Sequence, residues 1–222
     1  MRLSKETVII GIVGIAFALF IGFLILKTPG GTANPVGIVT NTEALIRENS
    51  HRTGKIDAKV KLVEFGDFQC PACAQLHPYL KQVVDKFKDN ENFTFVFRNF
   101  PLPQHKNAII SAEAAEAAGA QGKYWEMFDM IYEHQNDWSE SNESMAIFTE
   151  YAKYLNLDVI KFADDLSSHK FVSFINADKA DGNSLQVNHT PTVYLNGVEL
   201  QNMDPAVLIP QIEVLLNGDD EN

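Results

Sequence analysis

Cys70 and Cys73 are the only cysteines in the 222-residue chain, and they stand three positions apart. Two cysteines placed at random over that length would be so spaced in about 1% of arrangements, so the pair reads as one chemical unit. No cysteine is left over for a structural bridge. A C-x-x-C pair can open and close a disulfide by exchange with another thiol. After it, Leu76, Leu80, Val83, Val84 and Phe87 recur at helical spacing as far as Asp89-Asn90, which predicts a helix starting at the pair. Cys70 then lies where the first turn leaves its N–H groups unpaired, an environment that stabilises a thiolate. Pro71 suits the first helical position, where its fixed φ and missing N–H cost nothing. Ala72, before the second cysteine, brings neither a donor nor a charge. Cys73, one turn in, is expected to be more buried and to resolve the mixed disulfide.

Other residues near this pair carry weaker signals. Cys70, Cys73 and His77 form C-x₂-C-x₃-H, but a closed zinc site needs four ligands and no second pair is present, so no metal is expected. His189 could touch the thiolate or be a solvated loop residue. His105 is expected to begin or cap a helix, and Trp125, Met127, Phe128 and Met130 to pack one. Sequons stand at Asn92, Asn142 and Asn188. A glycan on Asn188 would crowd the site, which favours a prokaryotic surface compartment without such glycosylation.

The elements that must hold the pair follow from patterning. Lys59 to Phe65 alternates and then turns apolar before Gly66-Asp67, a strand entering a turn. Phe93 to Arg98 alternates strongly and gives a second strand, so strand, helix and strand form a βαβ unit with the usual right-handed crossover. Residues 108–120, 124–134, 143–155 and 158–167 read as helices, followed by one more over 171–185. Thr190 to Leu195 is a strand, Asn196-Gly197 a hairpin turn, and Val198 to Leu200 the return. A helix from Pro205 to Leu216 precedes a tail, 219–222, made acidic by Asp219, Asp220 and Glu221.

The blocks Phe65-Gly66-Asp67-Phe68-Gln69-Cys70-Pro71-Ala72-Cys73, Arg98-Asn99-Phe100-Pro101-Leu102-Pro103-Gln104-His105, Gln121-Gly122-Lys123-Tyr124-Trp125-Glu126-Met127 and Thr190-Pro191-Thr192 stand in series. In order and spacing they resemble the DsbA-like family of thiol-disulfide oxidoreductases over about residues 55–217. The resemblance implies an α/β thioredoxin-like fold, βαβ followed by ββα, with an all-helical insertion at about 102–172. It implies a redox-active Cys70–Cys73 disulfide and needs no metal or organic cofactor. It also implies a buried carboxylate at Glu64 that relays protons to Cys73, against the alternative of a solvated strand-face glutamate. Thr190-Pro191 would be a cis-proline loop that faces the pair and offers backbone groups to an extended substrate. The implied partners are reduced exported proteins and a quinone-linked membrane reoxidant.

The rest of the chain bears on location. Val8 to Leu26 is nineteen residues without a charge, sixteen apolar and three glycine. As a helix it would be about 28 Å long, enough to span a bilayer. Arg2 and Lys5 precede it and only Lys27 follows, so residues 1–27 are expected to be a cytoplasmic tip and membrane anchor with the remainder extracytoplasmic. No clear cleavage site follows the apolar run, which argues against a removed signal peptide. Residues 28–54 are rich in breakers and read as a linker, with a short helix near 42–48, and the domain is expected over 55–218. The net charge of −11 argues against nucleic acid as a partner. The expected function is a tethered oxidase of exported proteins. The rivals are a reductase or isomerase of the same fold, and a tethered binding module whose cysteines are structural.

Overall fold

The structure, a computed structural model, describes residues 42–218. Its elements are α1 (Thr42–Leu45), β1 (His51–Arg52), β2 (Val60–Gly66), α2 (Pro71–Phe87), β3 (Phe93–Asn99), α3 (Ala108–Gly119), α4 (Tyr124–Glu133), α5 (Gln135–Trp138), α6 (Ser144–Tyr154), α7 (Val159–Ser167), α8 (Val172–Ser184), β4 (Thr192–Leu195), β5 (Val198–Glu199) and α9 (Pro205–Asn217). The five strands lie in the order β1-β3-β2-β4-β5. β2 and β3, joined through α2, are parallel, and the other neighbours are antiparallel. This is the α/β arrangement the sequence predicts, βαβ and ββα with helices α3 to α7 inserted between them.

The strands separate two cores by their period of two. On β2 and β3, Leu62, Phe93, Phe95 and Phe97 join the larger core, with α2, α4 and the insertion. Val63, Phe65 and Val96 join the smaller one, with Phe100, Val187 and Tyr194. Glu64 shares the parity of Leu62 and therefore points with it toward the larger core. The hairpin β4–β5 turns at Asn196 (φ 48°) and Gly197 (φ 82°), the two left-handed residues that a two-residue turn of matching twist demands.

Folded structure begins earlier than residue 55. Part of the segment expected as linker forms α1 and adds β1 to the sheet edge, with His51 opposite Phe97 and Arg52 opposite Val96. A two-residue strand is too short to show any alternation, and long-range partners hold it. Thr53 N donates to Phe95 O at 3.0 Å, and a Cβ on Gly54 would lie 2.2 Å from Phe93 O, so only glycine fits there. Arg98 is fully buried beneath α1. It donates to Asp178 (2.8 Å) and Asp181 (2.6 Å) of α8 and to the carbonyls of Ala44 (2.9 Å) and Leu45 (2.7 Å). Arg47 adds pairs to the same two aspartates at 3.0 and 2.7 Å.

The short helix α5 replaces the break expected at Asn136-Asp137. It forms because Trp138 is fully buried and its Nε1 donates to Ile131 O at 2.8 Å. The expected membrane helix at 8–26 and the acidic tail at 219–222 lie outside the described residues. No helix among the described residues is long and apolar enough to cross a membrane.

Candidate active site

The redox pair is built from the turn that leaves β2. A Cβ on Gly66 would come within 2.5 Å of the Phe97 ring, so glycine alone lets the chain pass this aromatic layer. Asp67 then organises the turn. Its Oδ1 accepts from Gln69 N (2.8 Å), its Oδ2 from Leu102 N (2.9 Å) and pairs with His105 Nδ1 (2.7 Å), and its carbonyl accepts from Cys70 N (3.0 Å). Cys70 is thereby delivered as the N-cap of α2, with Pro71 at the first helical position. Pro71 and Ala72 are exposed, whereas both cysteines are buried and free.

The two thiols lie in opposite electrostatic settings. The Cys70 pKa is held down to about 5, first by the Cys73 thiol, then by the Thr190 side chain and the backbone N–H groups of Cys73 and Ala72. As a thiol, Cys70 donates to the Thr190 carbonyl at 3.4 Å. Burial pushes the Cys73 thiol well above its ordinary range, and the hydrogen bond to Cys70 and the Glu64 charge push it further. Under neutral conditions the stable arrangement is a thiolate at Cys70 sharing the proton that Cys73 keeps.

Glu64 lies beneath this pair on the central strand, 3% exposed. Burial, and then the Cys70 charge, push its pKa up to about 8, so at neutral pH it holds a proton. The solvated-glutamate alternative does not describe it. Glu64 forms part of the wall of a cavity of about 230 Å³, with Phe95, Trp125 and Phe128 on its apolar side. The Thr190–Pro191 peptide is cis, as the family pattern implied, and its loop closes over Cys70 from β4.

Several residues read from the sequence fall elsewhere. His77 is buried on α2, its ring stacked on Tyr132 at 5.1 Å and its Nε2 3.2 Å from Asp129 Oδ1. His189 is exposed and turns its Nδ1 to Thr192 Oγ1 at 2.9 Å, within its own loop. His105 does not start a helix but holds Asp67, because α3 begins only at Ala108. Met127 and Phe128 are core groups, as their helical spacing implied, with Phe128 packed edge-on to Phe68 and Phe97.

The insertion supplies contacts that pattern reading missed. Gln135 Nε2 donates to the carbonyls of Phe68 (2.7 Å) and Cys70 (3.0 Å). Gln69 reaches back, accepting from Asn107 N at 2.6 Å and donating to Ser139 O at 2.6 Å. Asp67, Gln69 and His105 stand inside the motif blocks, but their pairing spans more than thirty residues of chain, as the 38-residue separation of Asp67 and His105 shows. No local signal marks Gln135.

Comparisons with known proteins agree with this geometry. The thioredoxin family model matches residues 47–213. The probable disulfide bond formation protein D of Bacillus cereus is 34% identical over 151 residues, 65% of this chain and 68% of that protein. The Na(+)/H(+) antiporter NhaA 1 of Mycolicibacterium vanbaalenii is 34% identical over 172 residues, which are 75% of this chain but only 26% of the antiporter. The chain therefore corresponds to a minor part of that longer relative. Among solved structures, oxidised BdbD from Bacillus subtilis superposes with a TM-score of 0.69 at 23% identity, over 82% of this chain and 98% of BdbD. α-DsbA1 from Wolbachia pipientis does so with a TM-score of 0.69 at 20% identity, over 80% of this chain and 96% of its own. By sequence match, fold and the setting of its cysteine pair, the chain belongs to the thioredoxin family and, within it, to the DsbA-like thiol-disulfide oxidoreductases.

Proposed function

We propose that this protein is a membrane-tethered, extracytoplasmic oxidase that introduces disulfides into exported proteins, with Cys70 as the attacked and attacking sulfur. The observation that carries the reading is the split between the two thiols, Cys70 held down to about 5 and Cys73 pushed well up, at a helix N-terminus facing a cis-proline loop. A stabilised thiolate stabilises the reduced enzyme, and a stable reduced form makes the disulfide a good electron acceptor.

In the proposed cycle a substrate thiolate attacks Cys70 Sγ of the oxidised pair. A substrate–Cys70 bond forms, the Cys70–Cys73 bond breaks, and the electron pair passes to Cys73 Sγ. Cys73 cannot remain ionised in its buried setting, so it takes the proton that Glu64 holds. The second substrate thiolate then attacks the substrate sulfur and expels Cys70, which leaves as a thiolate and needs no proton. Substrate is oxidised by two electrons and the pair reduced by two. Thr190 and Pro191 would align an extended substrate in the groove beside them, where Ala72, Leu76, Tyr79 and Met203 offer an apolar floor.

The apolar segment 8–26 would provide the tether, and a quinone-linked membrane protein would return the pair to its disulfide. Incubating the oxidised protein with a reduced, unfolded substrate tests the reading. Native disulfides should appear in the substrate while Cys70 and Cys73 become thiols, and a pair that a glutathione buffer cannot reduce would refute it.

A further inference from the structure

The cavity beside Glu64 leads somewhere. Its inner wall holds Glu64 and His77, and its mouth is ringed by Lys81, Asp85, Lys88 and Asp129. Among the described residues, no protein group is hydrogen-bonded to the Glu64 carboxyl, which faces this space. The volume, about 230 Å³, has room for several waters at roughly 30 Å³ each.

His77 stands one helical turn beyond Cys73, on the same face of α2. Its Nε2 has no hydrogen-bond partner in line, although Asp129 Oδ1 of α4 lies 3.2 Å away. Tyr132 and Phe128 of α4 hold the ring by stacking and edge contact. The charged and titratable groups around it are Asp129 and Tyr132 from α4, Glu64 from β2, Cys73, Lys81 and Asp85 from its own helix, and Lys88 at that helix's C-terminal cap, with Lys81 pairing with Asp129. A buried imidazole that lines the same cavity as an isolated carboxyl and turns its Nε2 to Asp129 at the charged opening is placed to exchange protons with both.

We propose that this cavity is the proton path of the enzyme and that His77 carries protons between Glu64 and the opening at Asp129. The proposal rests on the reading of Glu64 as proton donor to Cys73. After Glu64 gives its proton to the leaving Cys73 sulfur, the imidazolium of His77, directly or through water, returns one to the carboxylate and is itself reprotonated from solvent. The reverse sequence empties the path when the pair is reoxidised. His77 touches no reacting sulfur and acts only through Glu64.

Stopped-flow reduction of the oxidised full-length protein by dithiothreitol, across pH 5 to 9, tests this. His77→Gln keeps a polar side chain but cannot carry a proton; it should slow reduction by about three- to tenfold and flatten the pH profile. Added imidazole, small enough to enter the cavity, should restore the rate in His77→Gln but not in Glu64→Gln, while the thiolate absorbance of Cys70 stays as in the natural protein. Val84→Phe, which narrows the cavity and leaves Glu64 and His77 in place, should slow the same step and decides the matter should His77→Gln not fold. An unchanged rate in His77→Gln or in Val84→Phe overturns the proposal. So does slowing that imidazole leaves uncorrected and that accompanies a moved Cys70 titration, since His77 would then be structural. A natural protein that dithiothreitol cannot reduce would instead refute the oxidoreductase reading itself.

Discussion

The side-chain amide of Gln135 lies 3.0 Å from the backbone carbonyl of Cys70, tying the inserted helices to the first residue of the redox pair. That carbonyl also accepts from Ala74 N at 3.1 Å, so one oxygen joins the turn of α2 to α5. Gln135→Leu should leave the buried Phe68 carbonyl without its donor and the Cys70 carbonyl with Ala74 N alone, and cost about 1–3 kcal/mol. With the helix terminus less firmly held, the Cys70 thiolate should titrate at a higher pH. Chemical denaturation and thiolate absorbance measure the two effects.

Much of the architecture was legible because the long elements carry strong periodicity. The apolar series from Leu76 to Phe87 and the alternation from Phe93 to Arg98 each name their element without tertiary help. The motif blocks located the pair and the proline loop, and the family resemblance they carry pointed to Glu64 on the strand just before the first block. What stayed hidden depends on distant partners: His51 and Arg52 become a strand only against Phe97 and Val96, and His105 meets Asp67 only once the turn has formed. His105 looked like a helix start because a polar residue before an alanine-rich run has that appearance whatever its side chain binds.

Alkylation should distinguish the two cysteines. In the reduced protein Cys70 should react with iodoacetamide along a titration curve centred near pH 5, and Cys73 should stay unlabelled until the chain is unfolded. The same shift sets a stability trend. The folded pKa of Cys70 lies below its ordinary value of 9.0, so its contribution is full above pH 9 and is lost as pH falls through about 5. The stability advantage of reduced over oxidised protein should therefore grow between those limits, as paired melts across pH would show.

Glu64 works in the opposite direction. Its folded pKa is raised from 4.5 to about 8, so the unfolded chain ionises this carboxyl over a range where the fold keeps it protonated, and stability falls as pH rises through that window. Glu64→Gln keeps the shape and cannot ionise. The reduced variant should be more stable than the natural protein by on the order of 2–3 kcal/mol at pH 7, with the difference vanishing near pH 4. It should also turn over more slowly. Equal stability at both pH values would show that Glu64 is not protonated in the fold.

Ala72 is expected to limit how far the thiolate is stabilised. It is exposed at the helix start and has no donor for Cys70, which relies on backbone N–H groups, Cys73 and Thr190. Strongly oxidising members of the family carry histidine at this position. The natural protein should be less oxidising than about −120 mV, and Ala72→His should raise the potential and lower the Cys70 pKa together. Equilibration with glutathione reads the first quantity and thiolate absorbance the second. If neither moves, the dipeptide does not set the poise.

Arg98→Met would leave Asp178 fully enclosed without its main cation, and a loss of about 3–5 kcal/mol is expected from such a broken pair. Thermal melts measure it, and a loss below about 1 kcal/mol would show that Arg47 alone can satisfy both aspartates.

The same arginine gives the domain a mechanical property. Because Arg98 grips the carbonyls of Ala44 and Leu45 while Arg47 grips α8, a pull arriving from the N-terminal side meets this ionic knot first. The tension is shared between β3 and α8, on the face of the sheet opposite Glu64 and α2. Force applied at α1 is taken up on that face, and the sulfur pair on the other keeps its alignment.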